Sequence, residues 1–154
     1  MTVSTLKTLM QHFPHAGAVV WIGLRPQRGA AMLSVQQAHA EPITGLEGDR
    51  YQGTSGKREI TLIQWEHLAV LSAFVGNTVE PEWLRRNIVV KGINLLALKD
   101  QRFCVGGAIL QSTGLCHPCS KMETVLGAGG YNAMRGHGGL TAKVLRVVYH
   151  VKCS

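Results

Sequence analysis

Apolar residues recur along this chain at two spacings, and the change from one to the other divides it. Leu6, Leu9, Met10 and Phe13 follow the three-four spacing of one helix face. Ser4 or Thr5 is placed to cap that helix, and Pro14 to follow its end. Residues 1–16 therefore read as a helical extension packed on the outside of a domain spanning residues 17–154. Residues 17–24 are continuously apolar, with Val19, Val20, Trp21 and Ile22 at the centre, the pattern of a buried strand. Arg25-Pro26-Gln27-Arg28-Gly29 makes a turn, and residues 32–38 return as a second strand of a hairpin.

Residues 45–51 form a polar loop punctuated by glycine, and residues 52–57 continue it without core positions. A short strand at residues 59–63 leads into a helix at 64–75, with Leu68, Leu71 and Val75 on one face. Glu66 and His67 read as solvated. Residues 81–85 make one helical turn opened by Pro81, and residues 88–90 a strand. Residues 103–105 and 108–112 flank Gly106-Gly107, a hairpin signal. In the last strand Leu145, Val147, Tyr149, Val151 and Cys153 alternate with Arg146, Val148, His150 and Lys152. Cys104 and Cys153 read as small buried hydrophobes in their strands. About seven short strands, one sizeable helix and many turns predict a mostly β fold with minor α. A sheet closed or nearly closed into a barrel, with a few peripheral helices, would leave no exposed edge.

Composition narrows this picture. The chain has 154 residues, enough for one domain with a real core, and its 18 glycines argue against a helical bundle. Its net charge of +7 favours an anionic partner. The basic residues are scattered, with no basic run and no aromatic-interleaved pattern, so nucleic acid is not the expected partner. Gathered at one pocket, they suit a phosphate-bearing small molecule. No charged segment followed by an apolar core opens the chain, and the run at residues 16–24 is too short to span a bilayer. A cytoplasmic protein with reduced thiols and no membrane partner is expected, its four cysteines buried, reactive or metal-binding.

The chemistry centres on Cys116-His117-Pro118-Cys119, between a strand and a helix-forming run. Helix-terminal N–H groups and nearby Lys121 would favour a thiolate there. The spacing allows a redox dithiol, but the motif stands late in the chain and no proline follows Pro118. It supplies half of a zinc shell, without a second pair to complete it. It also suits a single reactive or metal-ligating thiolate, or a persulfide carrier, and residue types alone do not choose the metal. Gly129 to Gly139 interleaves Tyr131, Asn132, Arg135 and His137 with glycines, a composition suited to an anion or ligand contact. Gly48-Asp49-Arg50, Lys57-Arg58 and Arg85-Arg86-Asn87 add polar clusters at strand ends.

Gly45-Leu-Glu-Gly-Asp-Arg50, Arg58-Glu-Ile-Thr-Leu-Ile-Gln-Trp-Glu66, Arg86-Asn87-Ile-Val-Val-Lys-Gly-Ile-Asn94 and Cys116-x-x-Cys119, in that order, resemble a MOSC domain. That domain occurs at the C-terminus of molybdenum-cofactor sulfurases, in amidoxime-reducing proteins and in small stand-alone bacterial proteins of the YiiM type. The likeness spans residues 17–153 and includes the glycine-rich loop. It implies a barrel like that of pyruvate kinase, binding the molybdenum cofactor, a pterin dithiolene with a phosphate. The family's essential cysteine matches Cys119, as molybdenum ligand or sulfur carrier, with Cys116 a supporting or resolving thiol. Arg50, Arg58, Arg86 and Arg135 become candidates for the pterin and its phosphate. Asn87, Lys121, Asn132 and His137 complete the candidate set. Tyr51 stands where many relatives carry His, which points to a different substrate.

These expectations define a molybdenum-dependent oxidoreductase that reduces N-hydroxylated compounds, taking electrons from a separate reductase. The alternative is a non-catalytic carrier of sulfur or cofactor on Cys119, handing it to a cofactor-biosynthesis protein. No pyridoxal phosphate is expected on this chain.

Overall fold

A computed structural model describes residues 5–50 and 56–147, and the backbone of 151–152. The capping candidate Ser4, Tyr51 and most of the 52–57 loop lie outside the described residues. So do Val148, Tyr149, His150 and Cys153 of the expected last strand.

The elements follow in order as α1 (Leu6–Leu9), β1 (Ala18–Leu24), β2 (Leu33–Val35), β3 (Gln37–Ala38), β4 (Ala40–Glu41), β5 (Gly45–Leu46), β6 (Ile60–Gln64) and α2 (Trp65–Val75). After a single 3-10 turn, Pro81–Leu84, come β7 (Ile88–Lys91), a second such turn, Leu95–Leu98, then β8 (Arg102–Val105) and β9 (Ala108–Leu115). The chain continues through α3 (Lys121–Leu126), α4 (Gly130–Met134), β10 (Leu140–Val147) and β11 (Val151–Lys152). Seven strands form one sheet in the order β2-β1-β7-β6-β10-β9-β8. Only β6 and β7 run parallel, because α2 supplies the crossover between them. The β1–β2 and β8–β9 pairs are antiparallel and join where the sequence places turns.

The parallel pair is buried on both faces, as crossover strands require. Leu62 and Ile88 join one apolar cluster with Ile22, Leu110 and Leu140. Their neighbours Ile63 and Val89 join a second, beneath Leu68 and Leu71 of α2 and Met122 and Met134 of α3 and α4. The period of two along each strand thus feeds two cores from one sheet.

Several expectations change. Helix α1 is one turn, capped by Thr5, and Leu6, Leu9 and Met10 stay exposed; Phe13 alone of that stripe packs against the core. Cys104 is exposed, not buried, because β8 is an edge strand and turns Val105 inward. The last strand begins earlier, at Leu140, and a bulge between Val144 and Arg146 shifts its phase, so Val144 is buried and Leu145 only partly. Leu46, inside the expected polar loop, is buried in the first cluster. Part of the expected glycine loop is the short helix α4. The sheet's ends, β2 and β8, are not paired with each other among the described residues, so the described fold is a mostly β, mixed sheet. Two ribbons accompany it, β3 with β11 and β4 with β5.

Asn87 ties β1, β6 and β7 together. Its Oδ1 accepts from the Thr61 N–H at 3.0 Å and from the Thr61 hydroxyl at 3.1 Å. Its Nδ2 donates to the Gly23 carbonyl at 3.2 Å and to Asp49 Oδ1 at 3.1 Å. The side chain is fully enclosed, so losing it leaves several buried partners without a bond. Asn87→Ala is expected to cost about 2–4 kcal/mol, seen as a lower urea midpoint at unchanged slope. A loss below about 0.5 kcal/mol, the range of ordinary surface changes, would contradict this placement.

Candidate functional site

The site is built where the start of β7 meets the loop after β9. Strand β9 pairs with β10 up to Leu115 opposite Leu140, and the Cys116 N–H then donates to the Gly139 carbonyl at 2.8 Å. This approach needs glycine. A Cβ on Gly138 would stand 2.1 Å from the Cys116 carbonyl oxygen, and one on Gly139 1.8 Å from that of Leu62. The Glu123 carboxylate holds the preceding turn by accepting from the N–H groups of Gly129 and Tyr131, both at 2.9 Å. Those bonds hold its pKa below the usual value.

Arg86 fills the space beneath these loops and is only 5% exposed. Its Nε donates to the Gly138 carbonyl at 2.8 Å, Nη1 to Leu84 at 2.9 Å and Nη2 to Cys116 at 3.2 Å. No carboxylate pairs with it among the described residues. Burial pushes its pKa down; negative charge on Cys116 and Cys119 pulls it up, and Arg58 and Arg25 push it down. An arginine keeps its proton through such shifts, so a buried cation remains.

The neighbouring charges have the same sign. Arg58, exposed, brings Nη2 to 3.6 Å from Cys116 Sγ. Arg85 is lowered by burial and by Arg25 and Arg50, against the opposing pull of Asp49. Asp49 is itself taken: it accepts from the Arg25 N–H, Nε and Nη2 at 2.7, 3.1 and 2.8 Å. Arg25 thus stands within electrostatic reach of both Arg86, with its neighbour Arg58, and Arg85, with its neighbour Arg50, and Asp49 bonds Arg25 among them. The arrangement is an anion site beside two thiols.

The thiols differ. Cys116 is buried and Cys119 is exposed, next to Ser120 and the start of α3. Of the residues expected from sequence, Arg58, Arg86, Cys116 and Cys119 come together, and Arg50 stands near Arg85. Asn87 lies behind them, its amide committed to the core. Lys121 is exposed at the start of α3. Asn132 and Arg135 are exposed around α4 and bond each other, Nη1 to Oδ1 at 3.4 Å. Arg85, read from the sequence only as part of a polar cluster, and Arg25, which sequence reasoning did not select, stand beside the arginine–thiol site. Arg25 looked like a turn residue, and its tie to Asp49 crosses 24 positions.

Against the Cys116 loop is a cavity of about 150 Å³, lined by Cys116, His117 and Pro118 and by none of these arginines. His67, read from the sequence as solvated, lines it. The His67 ring meets that of His137 edge to face, with centroids 5.0 Å apart, and His137 packs in the same way on Phe74 at 5.7 Å. His137 Nδ1 lies 3.1 Å from the Arg135 carbonyl, so that nitrogen carries the proton. Burial, then His137, lowers the His67 pKa, while Glu66 opposes. Among the described residues no group of three metal-ligating side chains assembles, and no helix is long and apolar enough to cross a membrane.

A family model described as the MOSC domain matches residues 48–150. No curated protein matches the chain. Among solved structures, YuaD from Bacillus subtilis is similar at a TM-score of 0.74 and 18% identity, covering 90% of this chain and 92% of that one. YiiM from Geobacillus stearothermophilus is similar at 0.67 and 17%, covering 89% of this chain and 71% of that one. YiiM from Escherichia coli is similar at 0.63 and 18%, covering 88% of this chain, which spans 65% of that protein. At these identities the likeness is one of fold.

His137→Ala should raise the His67 pKa towards its ordinary value, read by NMR titration of the imidazole. An unchanged His67 titration would contradict the coupling. Because the folded-state value is depressed, the native stability His67 contributes is full above its unfolded pKa. It is lost as pH falls through the folded one.

Proposed function

The chain belongs to the MOSC domain family, and from that membership we propose that it binds the molybdenum cofactor at the arginine–thiol site and reduces N-hydroxylated compounds. The observation that carries this reading is the pair of guanidinium groups at the thiols, Arg58 against Cys116 Sγ and buried Arg86 facing Cys116 and Cys119, with no carboxylate paired to either among the described residues. A phosphate-bearing pterin dithiolene fits that donor set. Arginines take phosphate through paired N–H groups, and an exposed thiolate is a soft metal ligand.

The residues divide the work. Cys119 is exposed and would hold the metal. Cys116 is buried against Arg58 and supports it. Arg50 and Arg58 are exposed and would take the phosphate and pterin. Arg86 has spent three donors on carbonyls, so it contributes charge and holds the loops in place. Lys121, Asn132, Arg135 and His137 would complete the rim from α3, α4 and the loop that follows. When bound, the molybdenum centre supplies the two-electron exchange that cleaves an N–O bond, with electrons from a separate reductase.

The same reading takes residues 1–16 as an extension and places the protein in the cytoplasm. It takes the fold as a barrel closed through β3 and β11, which carry the edge strand β2 and the strand β10 onward in the chain.

Protein from a molybdate-supplied host should contain molybdenum and pterin in equal amounts, and Cys119→Ser should lose both. Arg58→Ala should weaken retention roughly tenfold, the scale of a lost charge-assisted bond. Cyanide-releasable sulfur on Cys119 with no turnover would instead establish the carrier. Zinc without molybdenum or pterin would contradict both readings.

A further inference from the structure

The arginines at the thiols leave the cavity against the Cys116 loop unassigned, since none of them lines it. Its walls are Leu95, Leu96, Leu115 and Leu140, with Cys116 beside them and His67 among the polar lining. About 150 Å³ is the volume of an apolar cavity that accepts one benzene ring. No aspartate, glutamate, lysine or arginine lines it. A cation entering would lose hydration and find no counter-ion, whereas an uncharged ring would lose nothing comparable. A cation meets a second obstacle. Arg86, bonded to the carbonyls of Cys116 and Gly138 in the cavity wall, and Arg58, against the Cys116 sulfur, both project positive potential there.

Gln64 and His117 also line the cavity, but Gln64 Oε1 is taken by the Leu95 N–H at 3.0 Å and His117 is exposed, so His67 supplies the polar contact that is held in place. It is only partly exposed, its ring is braced by His137, and His137 is braced by Phe74. The imidazole therefore presents one N–H and one lone pair in a fixed place, and burial and His137 keep it neutral.

We propose that this cavity binds small uncharged molecules built on a single ring, with His67 as the hydrogen-bonding residue, and that it rejects their cationic counterparts. The consequence for turnover rests on the reading of this protein as an N–O reductase. Reductive cleavage takes two electrons and two protons, releases the oxygen as water and leaves an N–H in place of the N–OH. An N-hydroxyl group lowers the basicity of its nitrogen, so its removal yields an amine or amidine that gains a proton at neutral pH. The uncharged substrate fits the cavity and the cationic product does not, and chemistry at the site would itself drive product release.

The test uses benzamide and benzamidinium, near-isosteric probes differing in charge, titrated by NMR into the protein as purified. Benzamide should shift the His67 ring and Cys116 amide signals and bind at least roughly tenfold tighter than benzamidinium, the penalty of an unpaired buried charge. His67→Phe should weaken benzamide by roughly fivefold, one hydrogen bond. Leu115→Trp should abolish binding by filling the cavity, and Leu96→Trp, at a more exposed position, repeats that test if the first variant does not fold. Benzamidinium binding as well as benzamide, shifts confined to other residues, or binding that survives both tryptophans would overturn the proposal. Binding of benzamide by a protein that never acquires molybdenum would uphold the cavity and refute the reductase; bound molybdenum with no benzamide response would refute the cavity alone.

Discussion

A guanidinium buried without a carboxylate is the constraint around which this molecule is arranged. Taking such a charge out of water costs several kcal/mol unless hydrogen bonds surround it. Arg86 meets that demand with the carbonyls of Leu84, Cys116 and Gly138. Those carbonyls belong to the turn before β7, the thiol loop and the glycine loop, so satisfying one side chain brings three distant segments together. The next residue, Asn87, binds in the other direction, to β6, β1 and Asp49. Two adjacent residues at the head of one strand thus join the site to the core.

The Cys116 loop then borders two environments. Arg58 and Arg86 meet it with their guanidinium groups, a setting for an anion. It also lines an apolar cavity that holds neutral His67 in its wall and none of the arginines. The proposed cofactor and substrate would have opposite needs of this kind, since the first would carry phosphate and the second would enter uncharged. The glycines serve both environments, because any side chain at Gly138 would collide with the Cys116 carbonyl.

The elements were legible in the sequence wherever the apolar period was long or a turn was unambiguous: β1, the β8–β9 hairpin, α2 and the turn at Pro81. Arg58, Arg86, Cys116 and Cys119 were legible too, through the order of their motifs. What escaped depended on partners far along the chain. Cys104 alternates as a core residue would, and only its place on the edge strand exposes it. The bulge in β10 resets a period that looks regular in the sequence. Arg25 acquires its role from Asp49, and His67 from His137, contacts that no local pattern contains. Arg86 and Asn87 were visible as polar residues, but their burial, which gives them their roles, was not.

The central claim is that the exposed thiol, and not the buried one held by Arg58, is the metal's protein ligand. X-ray absorption at the molybdenum edge on loaded wild-type, Cys116→Ser and Cys119→Ser proteins tests this directly, with any metal retained by each variant as the sample. The account predicts that Cys116→Ser keeps the wild-type sulfur shell and that Cys119→Ser has one sulfur neighbour fewer or too little metal to measure. A sulfur shell unchanged in Cys119→Ser but diminished in Cys116→Ser would contradict it.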